Sequence, residues 1–225
     1  MARIDYQNTH CYVIDMNSVA DLADVCQGLS RVGRGAGSRH GDWMLKIVES
    51  GDLYDDGWLE TDGLRHVGVV RSSRIERHLL RPFDVLVTAR AGTLQVALVP
   101  PGVSRTVAGV TLLVARPQSP ESGMGHWLWY FLTSSQGRTQ LTKRLVVSST
   151  VTTLSARSLG EVEIPMPTSR DLDAVARLVE ASEDAYAAAV EAARMRREAL
   201  RDSVIHEIGR KTVSTSEGRI PVATH

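Results

Sequence analysis

The sequence predicts an α+β protein: a β-rich domain over residues 1–167, one long helix over 168–210 and a short tail over 211–225. Three observations carry this. Residues 159–167 (Leu-Gly-Glu-Val-Glu-Ile-Pro-Met-Pro) end a series of strand-like segments on two prolines, which interrupt regular structure. The next 41 residues, 168–208, contain neither glycine nor proline, and at ~1.5 Å per residue such a helix reaches ~60 Å. Upstream, short runs rich in β-formers are separated by turn residues, the pattern of a sheet domain.

Taken in order, residues 19–26 read as a short helix, and 28–41, rich in glycine and arginine, as an exposed loop. Residues 83–89 (Phe-Asp-Val-Leu-Val-Thr-Ala) predict a strand and 90–93 (Arg-Ala-Gly-Thr) a turn. Residues 94–99 then form a second strand that stops at Pro100-Pro101-Gly102. A third strand is expected over 107–115, a fourth over 145–153, and residues 161–164 lead into the junction. Between them, 126–141 reads as a helix. Its cluster of Trp127, Trp129, Tyr130 and Phe131 fits a core better than a base-stacking platform.

In the long helix, Leu172, Val175, Val179, Ser182, Tyr186, Ala189, Ala193, Arg196, Leu200 and Ser203 recur at alternating spacings of three and four, which lines them along one stripe. Alanines at 185, 187–189, 192 and 193 allow a second helix to approach closely, with Tyr186 filling a gap. Glu180, Glu183, Asp184, Glu191, Arg194, Arg197, Glu198 and Arg201 keep the other faces wet. Asp171 suits the positive end of the helix, and the hydroxyl of Thr168 or Ser169 suits its cap. A rod of this length outreaches a domain of roughly 165 residues, so a coiled-coil partner is expected rather than a fold back onto the same domain.

Composition excludes several classes. With 43% hydrophobic and 23% charged residues the chain can bury a core and is neither fibrous nor disordered. No apolar run approaches the ~18 residues of a membrane span, and residues 1–8 lack the apolar segment of a signal peptide, which together predict a cytoplasmic protein. Cys11 and Cys26 have no metal or redox spacing and read as reduced, partly buried thiols.

Net charge is zero, yet the 26 basic residues include only three lysines. Arg31, Arg34, Arg39 and Lys46 face only Asp42 in their segment. Arg65, Arg71, Arg74, Arg77 and Arg81 face only Glu76, and residues 101–160 carry Arg105, Arg116, Arg138, Lys143, Arg144 and Arg157 against Glu121 alone. The planar guanidinium fork matches phosphate oxygens and the guanine edge. Each cluster is either such a surface or a solvated face in an arginine-rich composition.

Motifs of catalysis are missing. Residues 33–38 (Gly-Arg-Gly-Ala-Gly-Ser) lack the Gly-Lys-Ser/Thr ending of a phosphate loop and the glycine spacing of a dinucleotide site. Pro100-Pro101 follows a valine and precedes a glycine, unlike the Asn/Asp-Pro-Pro-aromatic motif of amino-methyltransferases, and no nucleophile motif surrounds a serine or cysteine. The seven histidines have no ligand spacing. No cofactor and no metal are expected.

Four blocks nevertheless share an order and spacing: 83–93 (Phe-Asp-Val-Leu-Val-Thr-Ala-Arg-Ala-Gly-Thr), 107–117 ending in Leu-Val-Ala-Arg-Pro, 128–138 (Leu-Trp-Tyr-Phe-Leu-Thr-Ser-Ser-Gln-Gly-Arg) and 150–167 with its Ile-Pro-Met-Pro. Together they resemble the specificity subunit of type I restriction-modification systems, from about residue 20 to about residue 209. That family usually carries two target recognition domains, each followed by a long helix, with the helices packed antiparallel as a spacer. This chain has one of each. It resembles a half-subunit that would dimerise to rebuild the pair. The family commonly continues after the last block with a proline-containing stretch and a Glu-Gln pair, where this chain has Thr168-Ser-Arg-Asp-Leu-Asp.

The resemblance implies a non-catalytic protein that reads double-stranded DNA and docks N6-adenine DNA methyltransferase subunits and, in full systems, a motor-nuclease restriction subunit. On that basis Arg31, Arg34, Arg39, Arg71, Arg74, Arg77, Arg90, Thr93, Arg138, Lys143 and Arg144 are the expected DNA contacts. Leu172, Val175, Val179, Tyr186, Ala189, Ala193 and Leu200 are the expected homodimer seam. The competing expectations are an oligomerisation module without a DNA role and, behind it, an independent nuclease or methyltransferase.

Overall fold

The computed structural model describes residues 15–30, 43–54, 57, 59, 61, 63–91, 93–119, 123–147 and 152–216, and the chain divides into two compact units, Met1–Arg177 and Leu178–His225. The first unit is built on a four-stranded antiparallel sheet in the order β2 (Ala23–Gln27), β9 (Leu112–Pro117), β5 (Val85–Thr88), β7 (Val96–Leu98). A three-stranded sheet sets β3 (Trp43–Val48) between β4 (Arg65–Val69), antiparallel, and β8 (Thr106–Ala108), parallel. Two smaller pairings complete it: β1 (Met16–Ser18) with β12 (Glu163–Pro165), and a ribbon of β10 (Val146–Val147), β11 (Thr152–Thr153) and β6 (Arg90–Ala91).

Alternation along the central strands decides what each face buries. Leu86, Leu112 and Val114 join Val48, Ala108, Ala97, Val99 and the connection residues Leu53, Leu59 and Leu64 in one core. The opposite face of the same sheet carries Val85, Val87, Leu113 and Ala115, and α3 (Met124–Thr133) packs against β5, β7 and β9. Every residue of β5 is therefore buried. A second core of Leu45, Ile47, Val69 and Val107 lies under α2 (Ser73–Arg77) through Ile75, Leu79, Trp43 and Val67.

The structure corrects several expectations. Residues 19–26 are not one helix: α1 (Val19–Leu22) lasts a single turn, closed where Asp21 accepts from the Ser18 backbone and hydroxyl. The chain then extends as β2, because pairing with β9 outweighs local preference. The single strand expected over 107–115 is two strands in two sheets, separated at Gly109, where an added Cβ would lie 2.4 Å from the Glu49 carboxylate. Residues 145–153 likewise hold two short strands rather than one. Cys26 is exposed, not partly buried, and Cys11 lies outside the described residues.

The helix expected over 126–141 breaks at Ser134 into α3 and α4 (Ser135–Lys143). The Ser134 hydroxyl accepts from Gly137 N–H at 3.2 Å as the cap of α4. Gly137 is required there, since a Cβ would meet the Phe131 carbonyl oxygen at 2.1 Å. Leu128, Trp129, Phe131 and Leu132 are buried, as a core role requires, whereas Tyr130 is exposed. The Trp127 indole N–H donates to the Pro165 carbonyl, tying α3 to the junction.

After α5 (Ala156–Gly160) and β12, the junction prolines give way to α6, Ser169–Ser216, which runs past residue 210. The Thr168 hydroxyl donates to Asp171, whose N–H in turn donates to the Thr168 carbonyl. The first turns of α6 pack tightly on the first unit: a Cβ on Gly123 would sit 2.8 Å from Ala176 Cβ and 2.9 Å from the Leu172 carbonyl oxygen.

Candidate nucleic-acid interface

Arginines in this chain fall into two kinds, those engaged by the fold and those left to solvent. Arg116 is engaged. Its Nε and Nη2 donate to Asp84 at 3.1 and 2.7 Å, and its Nη1 and Nη2 donate to the carbonyls of Arg77 and Leu79 at 3.2 and 2.7 Å. Asp84 also accepts from Arg81 N–H at 2.9 Å. The guanidinium thus clasps β9, the start of β5 and the C-terminal end of α2. The hydrogen bond to Asp84, opposed by burial, raises the Arg116 pKa above its ordinary value.

Arg144, half-buried, donates to the carbonyls of Glu161 at 2.7 Å and Gln140 at 3.2 Å. Arg65 pairs with Glu49 at 3.1 Å and Arg157 with Glu161 at 2.9 Å. Arg71 pairs with Glu76 at 2.6 Å, and its guanidinium carbon lies 5.4 Å from the centroid of the Trp43 ring, stacking the cation on the end of β3.

The exposed remainder gathers in two groups. The first is α2, capped by the Ser72 hydroxyl, which accepts from Ile75 N–H. Arg74 and Arg77, three residues apart, share its outer face, with no carboxylate partner among the described residues. Their charge registers on His78, whose pKa is lowered first by burial and then by Arg74, Arg77 and Arg116. The second group surrounds the ribbon. Arg90 is exposed on β6, Thr93 follows it, and Lys143 ends α4 three residues before β10. Arg138, exposed on α4, donates from Nε to the Thr133 carbonyl at 3.1 Å. Arg31, Arg34 and Arg39 lie outside the described residues.

Along α6, Leu172 and Val179 are buried and Val175 half-buried, whereas Tyr186, Ala189, Ala193 and Leu200 are exposed. The strict alternation of three and four missed Leu178, Met195, Val204, Ile205 and Ile208, all exposed and apolar. Leu200, Val204 and Ile208 follow at spacings of four, so the apolar line drifts from a pure 3.5-residue seam towards the longer repeat of a straighter helix pair.

Sequence reasoning also missed the exposed pair Val146 and Val147. Their signal was the three-residue apolar stretch Leu145-Val146-Val147 directly after Lys143-Arg144, here ending in the edge strand of a ribbon. Among the described residues no cluster of histidine, cysteine and carboxylates could hold a metal, and no helix is long and apolar enough to cross a membrane.

No protein-family model and no curated protein matches this chain. Among solved structures, a chain from a study of complex assembly and conformational transition of the type I restriction-modification system aligns over 94% of this chain and 51% of its own length, with a TM-score of 0.56 at 18% identity. The type I restriction-modification S subunit of M. genitalium aligns over 76% of this chain and 39% of its own, with a TM-score of 0.46 at 13% identity. The HsdS subunit of Thermoanaerobacter tengcongensis aligns over 77% and 38%, with a TM-score of 0.47 at 18% identity. This chain spans about half the length, or less, of each structure it matches. The first of these alignments establishes the shared fold: a β-rich region followed by a long C-terminal helix.

Proposed function

We propose that this chain is the DNA-recognition component of a type I-like restriction-modification complex, a non-catalytic protein bearing one reading domain and one spacer helix. The observation that carries this reading is the fold shared over 94% of this chain but only 51% of a chain from such a system. The exposed apolar residues along α6, Leu178, Met195, Leu200, Val204 and Ile208, support a homodimer as the working unit, docking N6-adenine methyltransferase subunits and, in a full system, a motor-nuclease subunit.

Physical features of both units support it. Arg74 and Arg77 on α2, together with Arg90, Arg138 and Lys143 around the ribbon, offer exposed cations to phosphates, while Arg116 and Arg144 hold the surfaces that present them. On α6, Glu180, Glu183 and Asp184 lie on one side of the alanine-rich stretch, and Arg194, Arg196, Arg197 and Arg201 lie on the other. Two such helices packed antiparallel about residues 189–190 set acid against base at both ends; packed parallel, they set like against like. The twofold axis then makes the DNA site bipartite and palindromic, with the helix pair fixing the distance between half-sites.

Selection of random-sequence duplexes with the purified chain, followed by titration in rising salt, tests the reading. A DNA reader enriches one sequence class and loses affinity steeply as salt increases. Failure to enrich any duplex refutes it and favours an oligomerisation module without a DNA role. A monomer by light scattering, alone and with the methyltransferase subunit, refutes the dimer.

A further inference from the structure

The ribbon β10–β11–β6 differs from the other sheets in having no core of its own. Successive residues of a strand point to opposite faces, yet Val146 is 65% and Val147 76% exposed, so both faces of its edge strand are bare and apolar. The register is fixed: Val146 pairs with Thr153 and Thr153 with Arg90, while Val147 pairs with Thr152. One cross-strand row therefore runs Val146, Thr153, Arg90, and the Thr153 hydroxyl donates back to the Val146 carbonyl at 3.4 Å. Cations flank it in sequence: Lys143 and Arg144 precede β10 and Arg90 lies on β6, while Arg157, farther on, is paired with Glu161.

Bare valines beside exposed cations such as Arg90 and Lys143 suit a polyanion that also carries apolar groups. The major groove of DNA is such a surface: it admits a β-ribbon, its walls are phosphates, and its floor displays the thymine C5-methyl group. The row is about two strand spacings long, ~9.5 Å, or roughly three base-pair steps at ~3.4 Å. An arginine at one end of the row can therefore hold the backbone or a purine while a valine at the other meets a base edge.

Resting on the proposed DNA-reading function, we infer that this ribbon enters the major groove and that Val146, in the row that ends in Arg90, recognises a thymine through its methyl group. The test uses the full chain and the duplex it selects from a random pool, with each thymine replaced in turn by deoxyuridine, which removes only the methyl group. At least one replacement should weaken binding by roughly fourfold, the effect of one buried methyl group. The Val146→Ala variant should bind the thymine and uracil probes equally. A uracil scan without effect, a selected sequence lacking thymine, or a variant that still discriminates overturns the ribbon assignment and leaves the DNA-reading function standing. Failure to select any duplex overturns both.

Discussion

Replacing Asp84 with alanine should destabilise the first unit and loosen α2 in the same step. Asp84 is 1% exposed and the Arg116 side chain 17%, so the pair is largely withdrawn from water. Removing one partner of a buried ion pair costs ~3–5 kcal/mol, because the survivor stays buried without its counter-charge. Arg116 retains the Arg77 and Leu79 carbonyls, which places Asp84→Ala near the lower end, at ~3 kcal/mol. With a urea dependence of ~2 kcal/mol per molar, the denaturation midpoint should fall by ~1.5 M. Arg116→Met should cost at least as much, since the Asp84 carboxylate would then keep only the Arg81 N–H. The double variant buries neither charge and should be less destabilised than the sum of the two by ~2 kcal/mol or more. Because Arg116 holds the carbonyls of Arg77 and Leu79, Arg116→Met and the double variant should also loosen α2 more than Asp84→Ala does. Single variants that each cost under ~1 kcal/mol and add without coupling would refute the assignment of Arg116 as a structural clasp.

Three further outcomes are expected. Arg74→Ala/Arg77→Ala should leave the denaturation midpoint unchanged and reduce the slope of log affinity against log salt by ~0.9 for each phosphate contact removed, measured by fluorescence anisotropy; an unchanged slope excludes α2 from the interface. His78 has a folded pKa below 6.5, through burial first and its arginine neighbours second. The unfolded chain therefore gains a proton below pH 6.5 that the folded chain resists, and stability should fall as pH drops from 6.5 towards the lowered folded value and stay level above it. His78→Gln should flatten that limb in a denaturation series across pH. Val204→Glu, at an exposed position of α6, should leave the helical signal of the chain intact while converting the proposed homodimer to a monomer in light scattering, and a persistent dimer would remove this turn from the proposed seam.

The junction and the long helix were legible because both rest on local chemistry: two prolines cannot continue a strand, and an uninterrupted run without glycine or proline has few alternatives to a helix. The split of 107–115 was hidden because it depends on Gly109 lying against Glu49, 60 positions earlier in the chain. By contrast, the break at Ser134 had a local signal, a Ser-Ser-Gln-Gly sequence that fits a helix cap and a close approach, which the aromatic run before it outweighed. The basic clusters were legible as composition only. Arg65 finds its acid 16 positions away and Arg116 finds its own 32 positions away, so counting charges within a segment assigned both to an open surface that the fold had already engaged.

This division also explains which parts of the sequence carried the family resemblance. Val85, Leu86, Val87, Leu112–Ala115, Leu128, Leu132, Leu154, Leu159 and Ile164 lie within its four blocks, and each is at most 3% exposed. Those buried residues are therefore scaffold, held to apolar side chains of fitting size by packing. The residues proposed to meet DNA, Arg74 and Arg77 on α2 and Arg90, Lys143 and Val146 at the ribbon, are exposed, and packing leaves their identity free. A shared fold at 18% identity is what such an arrangement permits, since the core constrains few positions and a change of DNA target requires change only at the others. The same argument locates specificity experimentally: exchanging the exposed ribbon and α2 residues should alter the selected sequence without altering stability, whereas substitutions at the buried residues of the four blocks should alter stability without altering which sequence is selected.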